Sequence, residues 1–312
     1  MTAITRMARA MVSQCDRWLI GPAPPTRLAM FRILTGLFAL AYLVVRLPVF
    51  LTLTDAESSD ALDPVGVLWW LDRPINPGIF TLIVVITLLA GAGYTIGFAF
   101  RVLGPLFAIG ILTVTTYRSS WGQLLWFENL LVLHVLIVAV SRAGDALAFR
   151  KPSAPRTGDG LAYGWPLRLA GLVTVITYMM AGVAKLRIGG LNWVSGESLR
   201  NHVAYSATRL RVLGGDPSVL ARPLMDHTWL FAPMAVATMA LELGGLVALT
   251  GRTPRMLWVA GTWFMHVAIA LTMNVVFPYP LALIAFAPLF HLEDLLERVR
   301  AGIRRRAGRR HM

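Results

Sequence analysis

Long apolar stretches at 28–51, 78–98, 102–118, 124–141, 163–185, 229–250, 256–276 and 279–293 dominate this sequence and leave few folds open to it. Most approach the roughly 20 residues that a helix needs to cross ~30 Å of hydrocarbon. A soluble domain could not bury so much apolar surface: 56% of the residues are hydrophobic and 14% charged, against roughly 45–50% and about 25% in soluble domains. With no water at membrane depth to satisfy backbone groups, each stretch is expected to be helical. The predicted fold is all-α, a polytopic transmembrane helical bundle of about eight spans.

Charge predicts the orientation. With the N-terminus inside, eighteen Lys and Arg fall on cytoplasmic segments and seven on outer ones, the direction that the positive-inside rule requires. Both termini are then cytoplasmic. Residues 1–24 read as an interfacial N-terminal segment with Trp18 near the headgroups, lacking the continuous apolar core of a signal peptide. Residues 25–293 form the transmembrane domain, with 186–228 as its long exoplasmic loop, and 294–312 are a basic cytoplasmic tail. An acidic loop, 52–77, carries Asp55, Glu57, Asp60, Asp63 and Asp72, and 151–160 is a linker. Membrane lipid is the expected partner and the cell membrane the expected location. The net charge of +13 does not indicate nucleic acid, because the basic residues sit at helix ends and in the tail rather than in a groove with aromatics. Cys15 is the sole cysteine, and His134, His266 and His291 lack metal-ligand spacing, so no metal is expected.

An ionisable group inside a span costs about 2.5–3.5 kcal/mol at the helix centre, so each needs a partner or a task. Arg32 and Arg46, near the ends of the first span, are expected to snorkel to headgroups. Glu242, mid-span in the sixth stretch, is expected to face other helices, either protonated or paired with a cation such as an Arg. Glu128, beside Asn129, lies near the outer start of the fourth. His266 stands two turns before Asn274, a polar stripe on one helical face. Lys185 closes the fifth span at its outer end. All but two of the 29 basic residues are Arg, the exceptions being Lys151 and Lys185. A Lys gives up its proton on desolvation where Arg does not, so Lys185 reads either as a titratable base or as a snorkelling interfacial cation.

The run Tyr178, Ala181, Gly182, Lys185, Leu186, followed by Asn192, Trp193 and Gly196, resembles the signature of the HTTM domain, the membrane region shared by vitamin K-dependent gamma-carboxylases and many bacterial proteins. Arg32 and Gly36, Gly97 and Arg101, and His266 through Asn274 to Phe277 and Pro278 agree with it. In the carboxylases a lysine of this block deprotonates reduced vitamin K. The resemblance implies that role for Lys185, with His202 as a second catalytic candidate, and it implies a pocket of Tyr178, Asn192, Trp193, Gly196, Glu128, Asn129, His266 and Asn274 on the exoplasmic side.

Two functions follow as expectations. One is a membrane enzyme with carboxylase-like chemistry on a reduced menaquinone or vitamin K-type quinol, Lys185 acting as general base. The other is a non-enzymatic membrane factor for peptide export, immunity or maturation, whose exoplasmic loop binds a peptide or protein and whose Lys185 is exposed or salt-bridged. Inverted repeats and facing broken helices, which a transporter would need, are not evident.

Overall fold

The computed structural model describes residues 21–53, 61–122, 126–149, 160–298 and 301, with side chains from 128 onward in the third stretch. Cys15, Trp18 and most of the interfacial N-terminal segment lie outside the described residues, as do Asp55, Glu57, Asp60, the linker 151–159 and the end of the basic tail. Every regular element among the described residues is helical. Those residues fall into two compact units, one running from 21 to 170 with 287 onward, the other from 171 to 286.

In the first unit, α1 (Pro25–Thr52), α2 (Pro77–Ile96), α3 (Phe100–Ser119) and α4 (Trp126–Ala139) pack in a ring, each against the next and α4 back onto α1. Small residues make the close approaches: a Cβ at Gly36 would stand 2.3 Å from Thr95 Oγ1, and one at Gly110 2.3 Å from Thr87 Oγ1. Helices that gain little from hydrophobic association in lipid rely on such contacts. Gly97 ends α2 in the left-handed region, its N–H and that of Phe98 closing on Tyr94 and Gly93 carbonyls. At the start of α1, Arg27 pairs with Glu293.

Arg32 does not snorkel. It is fully buried, and its guanidinium donates to the carbonyls of Ala143 (2.5 Å), Ala146 (3.2 Å) and Leu147 (2.7 Å). The segment after α4 turns through irregular backbone there, with Leu147 in the left-handed region, and leaves carbonyls without helical partners. A planar fork of donors satisfies several at once, which wins over exposure to headgroups.

The second unit holds most of α5 (Gly160–Gly189), then α6 (Leu191–Val194), α7 (Glu197–Val212), α8 (Ala221–Asp226), α9 (Phe231–Leu243) and α10 (Arg252–Met273). The expected exoplasmic loop is therefore largely helical. Leu199, Val203, Ala221 and Leu224 build a core of their own with Phe231 and Ala235 at the start of α9. Leu220 N–H and Ser218 hydroxyl both donate to the Leu271 carbonyl near the end of α10.

Among the described residues, five helices, α1, α2, α3, α5 and α10, are long and apolar enough to cross a membrane. Large apolar side chains such as Val45, Leu89, Ile109, Leu257 and Phe264 point outward from them, as lipid-facing surfaces require. The other three expected spans are different. α4 and α9 are apolar but short, and α9 gives way at Gly244 to a 3-10 segment, Gly245–Leu249. The stretch 279–293 is not one helix: a single turn, α11 (Pro278–Leu281), is followed by Leu283 at φ +62° and a 3-10 segment, Ile284–Leu289. Pro280 and Pro288 have no N–H to continue an α-helical ladder.

Candidate functional site

α5 carries Tyr178, Gly182 and Lys185, three and four residues apart, so they share one face. Gly182 lets α9 come close: a Cβ there would lie 3.1 Å from Glu242 Cβ and 3.0 Å from Leu243 Cδ2. That approach sets the Glu242 carboxylate beside the Lys185 amine, and the two form a hydrogen-bonded ion pair through Oε1. Glu242 is 5% exposed and Lys185 25%. The pair thus sits with its carboxylate buried and its cation at the edge.

α10 completes the cluster. Tyr178 Oη and His266 Nε2 are 2.7 Å apart, and Tyr178 meets the Trp258 ring edge-on at 5.4 Å. Trp258 Nε1 donates to the Leu241 carbonyl at 2.8 Å, an acceptor that the break after α9 leaves open. Trp258, Thr262 and His266 recur every fourth residue and share a face.

Three buried polar atoms of this cluster have no partner among the described residues: Glu242 Oε2, His266 Nδ1 and Thr262 Oγ1. A buried polar atom left unpaired costs about 1–3 kcal/mol, so each of these three, on α9 and α10, is open to a hydrogen bond from a further group. His266 can serve in either tautomer, because whichever role Nε2 takes toward Tyr178, Nδ1 takes the other. Trp258 and Phe277, the latter 4.9 Å from His266, give the cluster aromatic walls.

The segment from α6 to α7 brings the two catalytic candidates together through Trp193. Lys185 Nζ lies 5.1 Å from its ring centroid, and His202 stacks on it at 5.5 Å and 29°. His202 itself is exposed, as is Asn192. Asn274 is exposed too, and it ends α10 in the left-handed region. It therefore leaves the helical face on which His266 sits buried. Glu128 belongs to the other unit, where it bonds to Tyr42 and Arg118, with exposed Asn129 beside it. Neither Thr262 nor Trp258 stands out in the sequence, and the cation beside Glu242 is Lys185 rather than an arginine. Thr262 could have been found from its spacing of four from His266.

Gly196 serves the backbone. It adopts φ +83°, and a Cβ there would stand 2.4 Å from Ala232 N and the Phe231 carbonyl carbon. Left-handed backbone costs an L-residue roughly 1–2 kcal/mol before any clash. Gly196→Ala is accordingly expected to lower the thermal unfolding temperature in detergent and the folded yield. Gly215→Ala, whose Cβ would meet nothing closer than 3.5 Å, should leave both unchanged.

A family model described as the HTTM domain matches residues 21–294. No curated protein and no solved structure matches the chain.

Proposed function

This chain belongs to the HTTM domain family, and on that premise we propose that its Lys185–Glu242 pair takes a proton from a lipid-soluble quinol of the menaquinone or vitamin K type. The observation that carries the reading is the ion pair with an unpartnered, buried Oε2 on Glu242, together with unpartnered His266 Nδ1 and Thr262 Oγ1 on one face of α10. These atoms can hydrogen-bond the hydroxyls of such a quinol ring, and Phe277, 4.9 Å from His266, is an aromatic neighbour of the cluster.

A bound quinol supplies the acidic hydroxyl and the redox-active ring. The chain supplies position and proton traffic. Lys185 and Glu242 share one proton between amine and carboxylate. In a dry site the neutral arrangement, with the proton on Glu242, exposes the amine lone pair at Nζ. General-base transfer needs the amine neutral, which the proton held on Glu242 provides. Lys185 then takes the hydroxyl proton, Glu242 keeps the shared one, and His266 with Tyr178 fixes the ring's orientation. Trp193 covers the Lys185 edge.

The wider setting is a multi-pass protein of a bacterial plasma membrane with about eight crossings and both termini inside, an orientation supported by the distribution of Arg and Lys. The irregular stretch 278–289 is compatible with membrane depth because Tyr279, Ala285, Phe286 and Leu289 are buried in protein.

A second reading has an observation of its own. Lys185 is tied into a salt bridge, and α7 with the segment after it exposes Tyr205, Val212, Leu213 and Val219 beside Arg200, Arg209 and Arg211. That surface suits docking of a peptide or protein by a non-enzymatic factor for export, immunity or maturation. Extraction of bound lipids from protein purified from its native membrane separates the two. Menaquinone should accompany the wild type and be absent from Lys185→Ala. If neither form retains a quinone while both remain folded, the docking reading replaces the first.

A further inference from the structure

The first unit contains a cavity of about 350 Å³ between the ends of α3 and α4, under the segment 61–76. That segment is pinned down: Asp63 N–H donates to the Ser120 carbonyl at 2.8 Å, Val65 N–H to Ser120 Oγ at 3.2 Å and Ile75 N–H to Tyr117 Oη at 3.2 Å. Gly66, with φ +56°, turns the roof over Thr116. The cavity is therefore fixed by main-chain contacts on one side and two packed helices on the other.

Its lining is two-sided. Leu112, Val132, Leu133 and Leu136 make an apolar wall, and Thr116 and Glu128 are among the polar groups of the lining. Glu128 is 3% exposed. Both of its partners, Tyr42 Oη and Arg118 Nη1, use the same oxygen, Oε1, which leaves Oε2 as the carboxylate atom free to accept from a ligand. Arg118 balances the charge of Glu128, so the cavity draws neither a cation nor an anion strongly. It offers instead one well-held hydrogen-bond acceptor at the end of a hydrocarbon slot.

The roof also carries Trp69 and Trp70, 76% and 60% exposed. Exposed tryptophans beside the ends of apolar helices belong at the level of lipid headgroups. The cavity then opens where headgroups and the first methylenes of acyl chains lie, and its volume is within the usual range for small-molecule sites of roughly 300–1,000 Å³.

The geometry points to a lipid site here: a lipid with an uncharged hydroxyl headgroup, such as a diacylglycerol, donates its hydroxyl to Glu128 Oε2 and lays its chain on Leu112, Val132, Leu133 and Leu136. This site is independent of the proposed Lys185–Glu242 site, which lies in the other unit and shares no residue with this lining, although the family resemblance grouped Glu128 and Asn129 with it. A phosphodiester carries no hydrogen to donate to Glu128 Oε2, and a choline headgroup has none either.

The full-length protein in phosphatidylcholine nanodiscs, titrated with a fluorescent short-chain diacylglycerol, tests it. Saturable binding is expected, displaced by unlabelled diacylglycerol and not by added phosphatidylcholine. Leu133→Trp fills the slot from a position already 41% exposed and should weaken binding about tenfold or more. Glu128→Gln turns the hydrogen bond round, with the lipid hydroxyl accepting from the amide, and should weaken binding less. Because Glu128→Gln also disturbs a buried ion pair, Leu133→Trp, which leaves the pair intact, is the deciding variant. Non-saturable binding, or saturable binding unchanged in Leu133→Trp, overturns the site. Stronger displacement by reduced menaquinone or phosphatidylglycerol than by diacylglycerol overturns the ligand class.

Discussion

Arg32→Ala should cost the protein at least about 3 kcal/mol, because it strands three carbonyls that are each worth roughly 1–3 kcal/mol when left unpaired. The side chain is completely buried and bonds Ala143, Ala146 and Leu147. It also lies against the α2–α3 turn, where a Cβ on Gly97 would meet its Nη1 at 2.9 Å. One guanidinium thus joins α1, that turn and the segment after α4. Loss of apolar contact is a smaller part of the effect, so Arg32→Met, which restores most of the volume, should recover little. Thermal unfolding in detergent checks both variants. Wild-type stability for Arg32→Met would mean that water or the backbone satisfies those carbonyls without the arginine.

Breaking the Lys185–Glu242 pair from one side should be nearly as harmful, and removing both groups should not. Lys185→Met leaves the Glu242 carboxylate buried without its cation, and losing one partner of a buried pair costs about 3–5 kcal/mol. The upper part of that range is out of reach here, since Lys185 is 25% exposed and an unpaired carboxyl can protonate. Glu242→Leu leaves the cation at the edge, where it can turn outward, and should cost less. The double variant Lys185→Met, Glu242→Leu should come within about 1 kcal/mol of wild type, because groups in contact are not additive. Quinone retention should fail in all three. The double variant therefore separates loss of ligand from loss of fold, and a stable double variant that still retains menaquinone would remove the pair from the site.

Span positions were legible in the sequence because lipid imposes a length and composition on any helix that crosses it. α1, α2, α3, α5 and α10 fall where the apolar stretches do. The stretch 279–293 was less so, since hydropathy is blind to the missing N–H groups of Pro280 and Pro288. Polar side chains were the hardest to read. Arg32 looks from its position like a snorkelling arginine, and only the irregular backbone after α4, more than a hundred residues away in sequence, gives it a reason to stay inside. Lys185 was conspicuous as one of two lysines, yet its partner depended on Gly182 admitting α9 to close range, a pairing that no periodicity encodes. Gly196 stood out for its place in the block, whereas its cause, the Phe231–Ala232 backbone pressed against it, lies 35 residues on.

The infrared difference spectrum of the reconstituted protein on adding reduced menaquinone bears most directly on the Lys185–Glu242 pair as proton acceptor. A carbonyl stretch of a newly protonated carboxylic acid should appear in wild type and be missing from Glu242→Gln, since Glu242 holds the shared proton while Lys185 takes the second. A carboxylate band unchanged by saturating quinol, in protein that demonstrably binds it, would contradict the account.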